Sequence, residues 1–383
     1  MEKIIYVDNS ATTAVSEKAL TAMLPYFREN YGNPSSIHSH GQAAQRALEN
    51  SRRAVASAIG AYNNEIFFTS GGTESDNWAI RGVCELKRDK GSHIISTAIE
   101  HNAVLKTLNG LQNRGFEITL LEPDKYGQIT AEQLKQAIRD DTILISIMTA
   151  NNVVGTILPI KDLCAAAHEK GVIFHTDAVQ AVSHIPLNVR ALGVDLLSMS
   201  AHKFHGPKGV GALFSKLPLT PPPYLTGGGQ EKGYRSGTEN ISGIVGMAAA
   251  IKEGTENLSE NIAKITSNRN KLIENVLKIP GAYLTGDPTN RLPGLASFVF
   301  EGIEQAAFIV NKLNEYGICA SSGSACSASS KEASHVLTAM GYDESASHGI
   351  LRISLSEYNT EEEIDAIISR LPLIVAEIRS KKK

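Results

Sequence analysis

The sequence predicts an α/β protein in which a large domain with a mostly parallel sheet, covered by helices, is joined to a smaller α+β domain. Three observations carry this. Short apolar runs alternate with longer helical patterns from about residue 65 to residue 215, the order that gives a parallel sheet with helices on both faces. A Pro-rich break at 218–223, followed by Gly227, Gly228 and Gly229, interrupts that order. From about residue 257 the pattern becomes a long helix, a strand and a final helix.

In chain order, the apolar runs lie at 66–69, 93–97, 117–121, 142–148, 172–176, 195–199 and 209–214. Amphipathic stretches at 131–140 and 160–170 sit between them, with Gly171 placed as a helix stop. The prolines at 218, 221, 222 and 223 make a loop rather than a linker, because a helical stretch at 241–256 resumes at once. The last part carries a helix at 261–278, a strand at 296–300 and a helix at 360–378. No internal repeat is present. These boundaries give a large domain at 12–256 and a small one built from 1–11 and 257–383.

A chain of 383 residues, 42% hydrophobic and 20% charged, can bury such a core. A formal charge of -3 gives no electrostatic reason to expect nucleic acid or an anionic membrane as partner. The basic close, Arg379 and Lys381 to Lys383, reads as a solvated tail. The first residues lack an apolar signal-peptide core, and the longest mostly apolar stretch, 241–251, falls short of the ~20 residues that span a bilayer. A cytoplasmic protein is therefore expected. Cys84, Cys164, Cys319 and Cys326 form no C-x-x-C pair, so no zinc ribbon, thioredoxin-like site or other metal site is expected. In a reducing compartment they are thiols.

The chemistry concentrates at strand ends. Lys203, in Ser200-Ala-His-Lys-Phe-His-Gly-Pro-Lys-Gly209, follows an apolar run directly. That is the carboxyl end of a sheet strand, where ligands of open α/β sheets gather. An amine desolvated there has a lowered pKa and can attack an aldehyde, although a lone lysine is ordinarily exposed. Asp177, in His175-Thr-Asp-Ala-Val-Gln180, puts a carboxylate at the end of another run. Pyridoxal 5'-phosphate needs an acid beside its pyridine nitrogen, and Gln180 is placed to reach the ring's phenolic oxygen. Asp177 also suits a helix N-cap. Thr69-Ser-Gly-Gly72-Thr73 opens a helix after a strand, an anion site suited to the cofactor phosphate. His101 is placed to stack on the ring or to move protons near pH 7, and Asn151-Asn152 is a further polar group at a strand end. Neither G-x-G-x-x-G after the first strand nor a P-loop occurs, so the common nucleotide readings lose support.

Together these residues resemble the class V aminotransferase-like, fold-type I enzymes that use pyridoxal phosphate, and within them the NifS/IscS-type cysteine desulfurases. The resemblance is carried in order by Tyr31 to His38, Thr69 to Asn77, Glu100-His101, Asn151-Asn152, His175 to Gln180 and Ser200 to Gly209. It continues through Gly227 to Asn240, Ser321 to Cys326 and Leu351 to Ser354, and so covers nearly the whole chain. It implies that Lys203 carries the cofactor, Asp177 pairs with the ring nitrogen, Gln180 and Asn152 flank the phenolic oxygen, and His101 stacks on the ring. Gly72, Thr73, Ser200 and His202 would hold the phosphate. Thr238 would reach the phosphate site of a partner subunit, so a homodimer with shared sites is implied. Arg352, with Asn33 nearby, would clamp the substrate carboxylate, a task that suits a planar guanidinium.

The same resemblance implies that L-cysteine is converted to L-alanine, with a persulfide left on Cys326 for an acceptor such as an iron-sulfur scaffold or a thiolation protein. Ser, Gly and Ala around Cys326 give it no apolar burial and suit a nucleophile that must travel. Cys84, Cys164 and Cys319 read as inert thiols. Three positions depart from the family pattern: Val153 where an acid is common, Lys232 where arginine is frequent, and Ala333 where proline is usual. None removes a catalytic group, and the last two bear on the acceptor more than on the reaction. The alternatives are a selenocysteine lyase or another β-eliminating enzyme, to which Cys326 would be superfluous. A non-catalytic scaffold would need to keep none of Lys203, Asp177, His101 and Cys326.

Overall fold

The structure, a computed structural model, describes residues 4–323 and 333–381. Each of the seven apolar runs forms a strand of one sheet. Its order is Ile66–Thr69, Gly211–Ser215, Leu196–Ser200, Ile173–Asp177, Thr142–Ser146, His93–Thr97 and Glu117–Leu121. Gly211–Ser215 runs antiparallel to both neighbours, and the other pairs are parallel. The sheet is therefore mostly parallel, as expected, with a single reversed strand among those described.

Alternate residues of a strand face opposite sides of a sheet, and here both sides are buried. Ile95, Ile145, Leu197 and Phe214 pack in one apolar cluster with helices Ser39–Ile59, Ile160–His168 and Ile241–Glu256. Their neighbours Ile94, Leu144, Leu196 and Leu213 pack in another, with helices Gly72–Leu86 and Asn102–Gln112. Helix Ser39–Ile59 has no counterpart among the sequence expectations. Its buried face mixes Ala44, Ala47, Leu48, Val55, Ala56 and Ile59 with Gly41, Ser51 and Arg52, so its apolar pattern is interrupted. It ends where Gly60 turns left-handed at φ 72°.

The remainder forms a three-stranded antiparallel sheet, in the order Leu351–Ser354, Leu295–Phe300 and Ala282–Leu284. Its helices begin and end near the expected places, at Leu258–Val276 and Glu361–Ser380. The latter starts on a reciprocal cap between Thr360 and Glu363. Ile5–Tyr6 pairs in parallel with Ile318–Cys319, so the N-terminal strand joins the C-terminal part. Val7 is buried there with Phe298, Ile353 and Leu371. Among the described residues, no helix is long and apolar enough to cross a membrane.

Candidate active site

Gly72, His101, Asn152, Asp177, Ser200 and Lys203 all follow or end strands that point the same way, so the carboxyl ends of those strands deliver them to one place. A cavity of about 220 Å³ opens there. Its lining includes Gly72, Thr73, His101, Asn152, Asp177, Gln180, Ser200, His202, Lys203 and Arg352, together with Ser10, Ala11, Asp76 and Met148.

Leu196–Ser200 passes into the single turn Ala201–Lys203, which carries the lysine round the strand end. Lys203 Nζ donates to the backbone oxygens of Ser10 at 2.6 Å and Ala11 at 2.9 Å. Gln180 Nε2 donates to the same Ser10 oxygen at 3.0 Å. His202 Nδ1 lies 3.1 Å from Thr12 Oγ1, and burial pushes its imidazole down to about 4.

Opposite the lysine, Asp177 Oδ1 accepts from Val179 N at 2.9 Å. Burial pushes the Asp177 carboxyl up, against the pull of His101 and Lys203. A second buried acid stands beside it. Asp76 is pushed well up by burial and by the Asp177 charge, and its Oδ1 has no hydrogen-bond partner. His101 caps helix Asn102–Gln112, with Nδ1 accepting from Ala103 N at 3.1 Å. That bond puts the ring proton of neutral His101 on Nε2. Burial lowers its pKa, with Lys203 and His335 acting in the same sense and Asp177 opposing.

Helix Gly72–Leu86 begins after Gly71, which gives no side-chain cap, so its first N–H groups are left for an anion. A Cβ on Gly72 would fall 2.6 Å from Val179 Cγ2. Arg352, only 1% exposed, donates from Nη1 to Asn152 O at 2.9 Å and from Nη2 to Asp8 Oδ1 at 2.6 Å.

An amine, an uncapped helix start, an imidazole and a buried carboxyl around one cavity fit pyridoxal phosphate. A protonated ring nitrogen would give the buried Asp177 carboxylate a charge partner. Lys203, Asp177, Gln180, Asn152, His101, Gly72, Thr73, Ser200 and His202 could hold the group.

Two expected residues stand apart. Asn33 does not line the cavity; it is exposed, and its Oδ1 accepts from Ser35 N at 2.9 Å in a local turn. Thr238 lines a different pocket, with Thr69, Ser70, Arg235 and Glu239. Cys326 lies outside the described residues. Cys84 and Cys164 are buried, and burial pushes both thiols up to about 12, in keeping with inert side chains. Cys319 is half-buried at the end of its short strand. Val153 is packed in an apolar cluster with Ile99, Val299 and Ile350, which accounts for an apolar residue at that position. Asp8, Ser10, Ala11 and Asp76 were not singled out from the sequence. Asp76 falls inside the segment Thr69 to Asn77 that did attract notice, while the N-terminal residues carry no periodic signal.

A family model described as aminotransferase class-V matches residues 5–367. The cysteine desulfurase IscS of Methanosarcina thermophila is 50% identical over 378 residues, covering 99% of this chain and 93% of that protein. A solved structure described as a NifS-like protein superposes with a TM-score of 0.92 at 40% identity, covering 98% of this chain and 100% of that one. Another, SspA in complex with cysteine, gives a TM-score of 0.82 at 34% identity, covering 93% and 100%. The architecture is that of the fold-type I enzymes. With this fold and these relatives, the chain belongs to the class-V aminotransferase family, among its NifS/IscS-type cysteine desulfurases.

Proposed function

We propose that this protein is a cysteine desulfurase that uses pyridoxal 5'-phosphate to take sulfur from L-cysteine, giving L-alanine and a persulfide on Cys326. The observation that carries the reading is the convergence of Lys203, Asp177, His101 and Arg352 on one cavity. The cofactor, when bound, supplies an electron sink that makes the Cα–H of an amino acid acidic.

The chain's own groups do the rest. Lys203 would hold the cofactor, and its amine is the group placed to move the Cα proton. Asp177 would hold the ring-nitrogen proton, Gln180 and Asn152 would flank the phenolic oxygen, and neutral His101 would pack on the ring and relay protons. The first N–H groups of the helix at Gly72 and Thr73, with Ser200 and His202, would hold the phosphate. Arg352 would bind the substrate carboxylate, with Asn33 as a further substrate contact. The Cys326 thiolate attacks the substrate sulfur, the carbon–sulfur bond breaks, and the carbon skeleton takes up a proton and leaves as alanine.

The reading includes a homodimer in which Thr238 serves the partner's phosphate site, and a division into a large domain at 12–256 and a small one at 1–11 and 257–383. The separate apolar clusters around Phe174 and Phe298 support that division. An acceptor protein then receives the persulfide sulfur for iron-sulfur cluster assembly or for thio-cofactor or tRNA synthesis. A nucleophilic thiol must stay reduced, which supports a reducing compartment, and the reading puts the reaction in the cytoplasm.

The test is Cys326→Ala, with cofactor absorbance and the release of sulfide and alanine from L-cysteine measured under reductant. The expected result is an unchanged absorbance band and no turnover. Full activity in that variant would point instead to direct elimination, as in a selenocysteine lyase.

A further inference from the structure

The guanidinium assigned to the substrate carboxylate already has a carboxylate. Arg352 Nη2 lies 2.6 Å from Asp8 Oδ1, and the pair is nearly dry on the arginine side, with side-chain exposures of 1% and 18%. Strand register makes the pairing. Ser354 N donates to Val7 O at 2.8 Å and Asn9 N donates to Ser354 O at 3.2 Å, so Asp8 is held alongside the strand that bears Arg352. The second anchor, from Nη1 to Asn152 O at 2.9 Å, fixes the plane of the fork.

We propose that Asp8 is a positioning residue that sets the affinity of Arg352 for carboxylate ligands, holding the guanidinium in place while sharing its charge. This rests on the reading of Arg352 as the carboxylate clamp.

An incoming carboxylate must either displace Asp8 or lie beside it as a like charge, and both weaken binding. Asp8 is partly exposed, so a displaced carboxylate can be solvated and the exchange remains accessible. L-Alanine carries the same α-carboxylate as L-cysteine. An unshared Arg352 would therefore grip product as firmly as substrate, a uniform binding that lowers KM without raising kcat. A ligand without a carboxylate is indifferent to Asp8.

Asp8→Asn removes the charge and keeps an oxygen for Nη2. The probe is 3-mercaptopropionate, which is cysteine without its amine, titrated calorimetrically into the holoenzyme, with 3-mercaptopropionamide as the uncharged control. The expected result is binding of the acid roughly tenfold tighter, as for loss of one nearby like charge, with the amide unaffected. KM for L-cysteine should fall without a rise in kcat. Asp8→Ser, which keeps an oxygen without the charge, should shift the acid in the same direction and serves where the asparagine variant does not fold. Unchanged or weaker binding of the acid in a folded Asp8→Asn holoenzyme overturns the proposal. Arg352→Gln separates this from failure of the clamp itself. If it leaves acid binding untouched, Arg352 is not the carboxylate site. If it weakens binding while Asp8→Asn fails to tighten it, only the role of Asp8 falls.

Discussion

Lys203 Nζ donates to the backbone oxygen of Ser10 at 2.6 Å, a bond between residues 193 positions apart. It ties the lysine proposed to carry the cofactor to the N-terminal segment, whose strand Ile5–Tyr6 pairs with the C-terminal part. The amine thus sits where the two parts of the chain meet. Lys203→Ala should lose the absorbance band of lysine-bound cofactor and slow alanine formation by roughly 10³-fold or more, the scale of a lost acid–base group. Absorbance of the reconstituted variant and single-turnover alanine release check this. An unchanged band would put the cofactor on another amine.

The proposed phosphate site is tested at Gly72. A methyl there meets Val179 Cγ2 at 2.6 Å and Ser200 Cβ at 3.6 Å, so Gly72→Ala must push apart the elements that frame the helix start. Overpacking of this kind costs about 1–3 kcal/mol. With that strain carried by the bound state, the Kd for pyridoxal phosphate should rise roughly 5- to 150-fold. Fluorescence titration of cofactor-stripped protein measures it, and an unchanged Kd would remove Gly72 from the phosphate site.

What the sequence made legible was short-range. Asp177 and Lys203 stand at the end of an apolar run or just past it, so locating the strands located them. Six of the seven strands were visible because each is a compact run of buried residues. The edge strand Glu117–Leu121, with only Leu121 buried, showed as a short run of apolar residue types. In Ser39–Ile59 the buried alanines, Leu48, Val55 and Ile59 are interrupted by buried Ser51 and Arg52. Asp8, Ser10 and Ala11 were invisible for a different reason. Their roles depend on pairing with residues near 203 and 352, and a strand of two residues leaves no periodic trace. Asn33 and Thr238 came only from family resemblance, and the geometry of this chain alone does not bring them to the cavity.

A buried ion pair outside the cavity holds the loop that leads to Thr238. Arg52 Nη1 and Nη2 grip Glu231 Oε2 and Oε1 at 2.7 and 2.8 Å. Arg52 also donates to Ile66 O, and Phe68 N donates to Glu231 Oε2, both at 2.9 Å. Helix Ser39–Ile59, strand Ile66–Thr69 and the turn Glu231–Gly233 are thereby locked together. Arg52→Met strands the buried Glu231 carboxylate and should cost about 3–5 kcal/mol. Glu231→Leu leaves Arg52 with the partly exposed Glu49, 3.2 Å from its Nε, as its acidic partner and should cost somewhat less. The double variant should lose less than the sum, because it buries no orphan charge. Denaturant unfolding of the three proteins gives the comparison, and additive losses would mean that the pair is not coupled.

Glu100 supplies a stability test with a definite sign. Its Oε1 accepts from Thr97 Oγ1 at 2.8 Å and Met148 N at 2.9 Å, while Oε2 is buried without a hydrogen-bond partner. Burial pushes the carboxyl up to about 8, from 4.5, despite the two bonds that favour its charged form. Between those values the folded protein keeps a proton that the unfolded chain has released, so this group makes stability fall as pH rises from about 4.5 to 8. Glu100→Gln mimics the protonated acid and carries no such dependence. The melting temperature of Glu100→Gln relative to the parent should therefore climb from pH 5 to pH 8 and level off above, reaching on the order of a few kcal/mol in stability. Buried histidines act in the opposite sense. Burial holds His175 at about 3, so its contribution is lost as pH falls below 6.5, but it is common to both proteins and cancels in the difference. A pH-independent difference between the two melting curves would show that Glu100 does not titrate in this window.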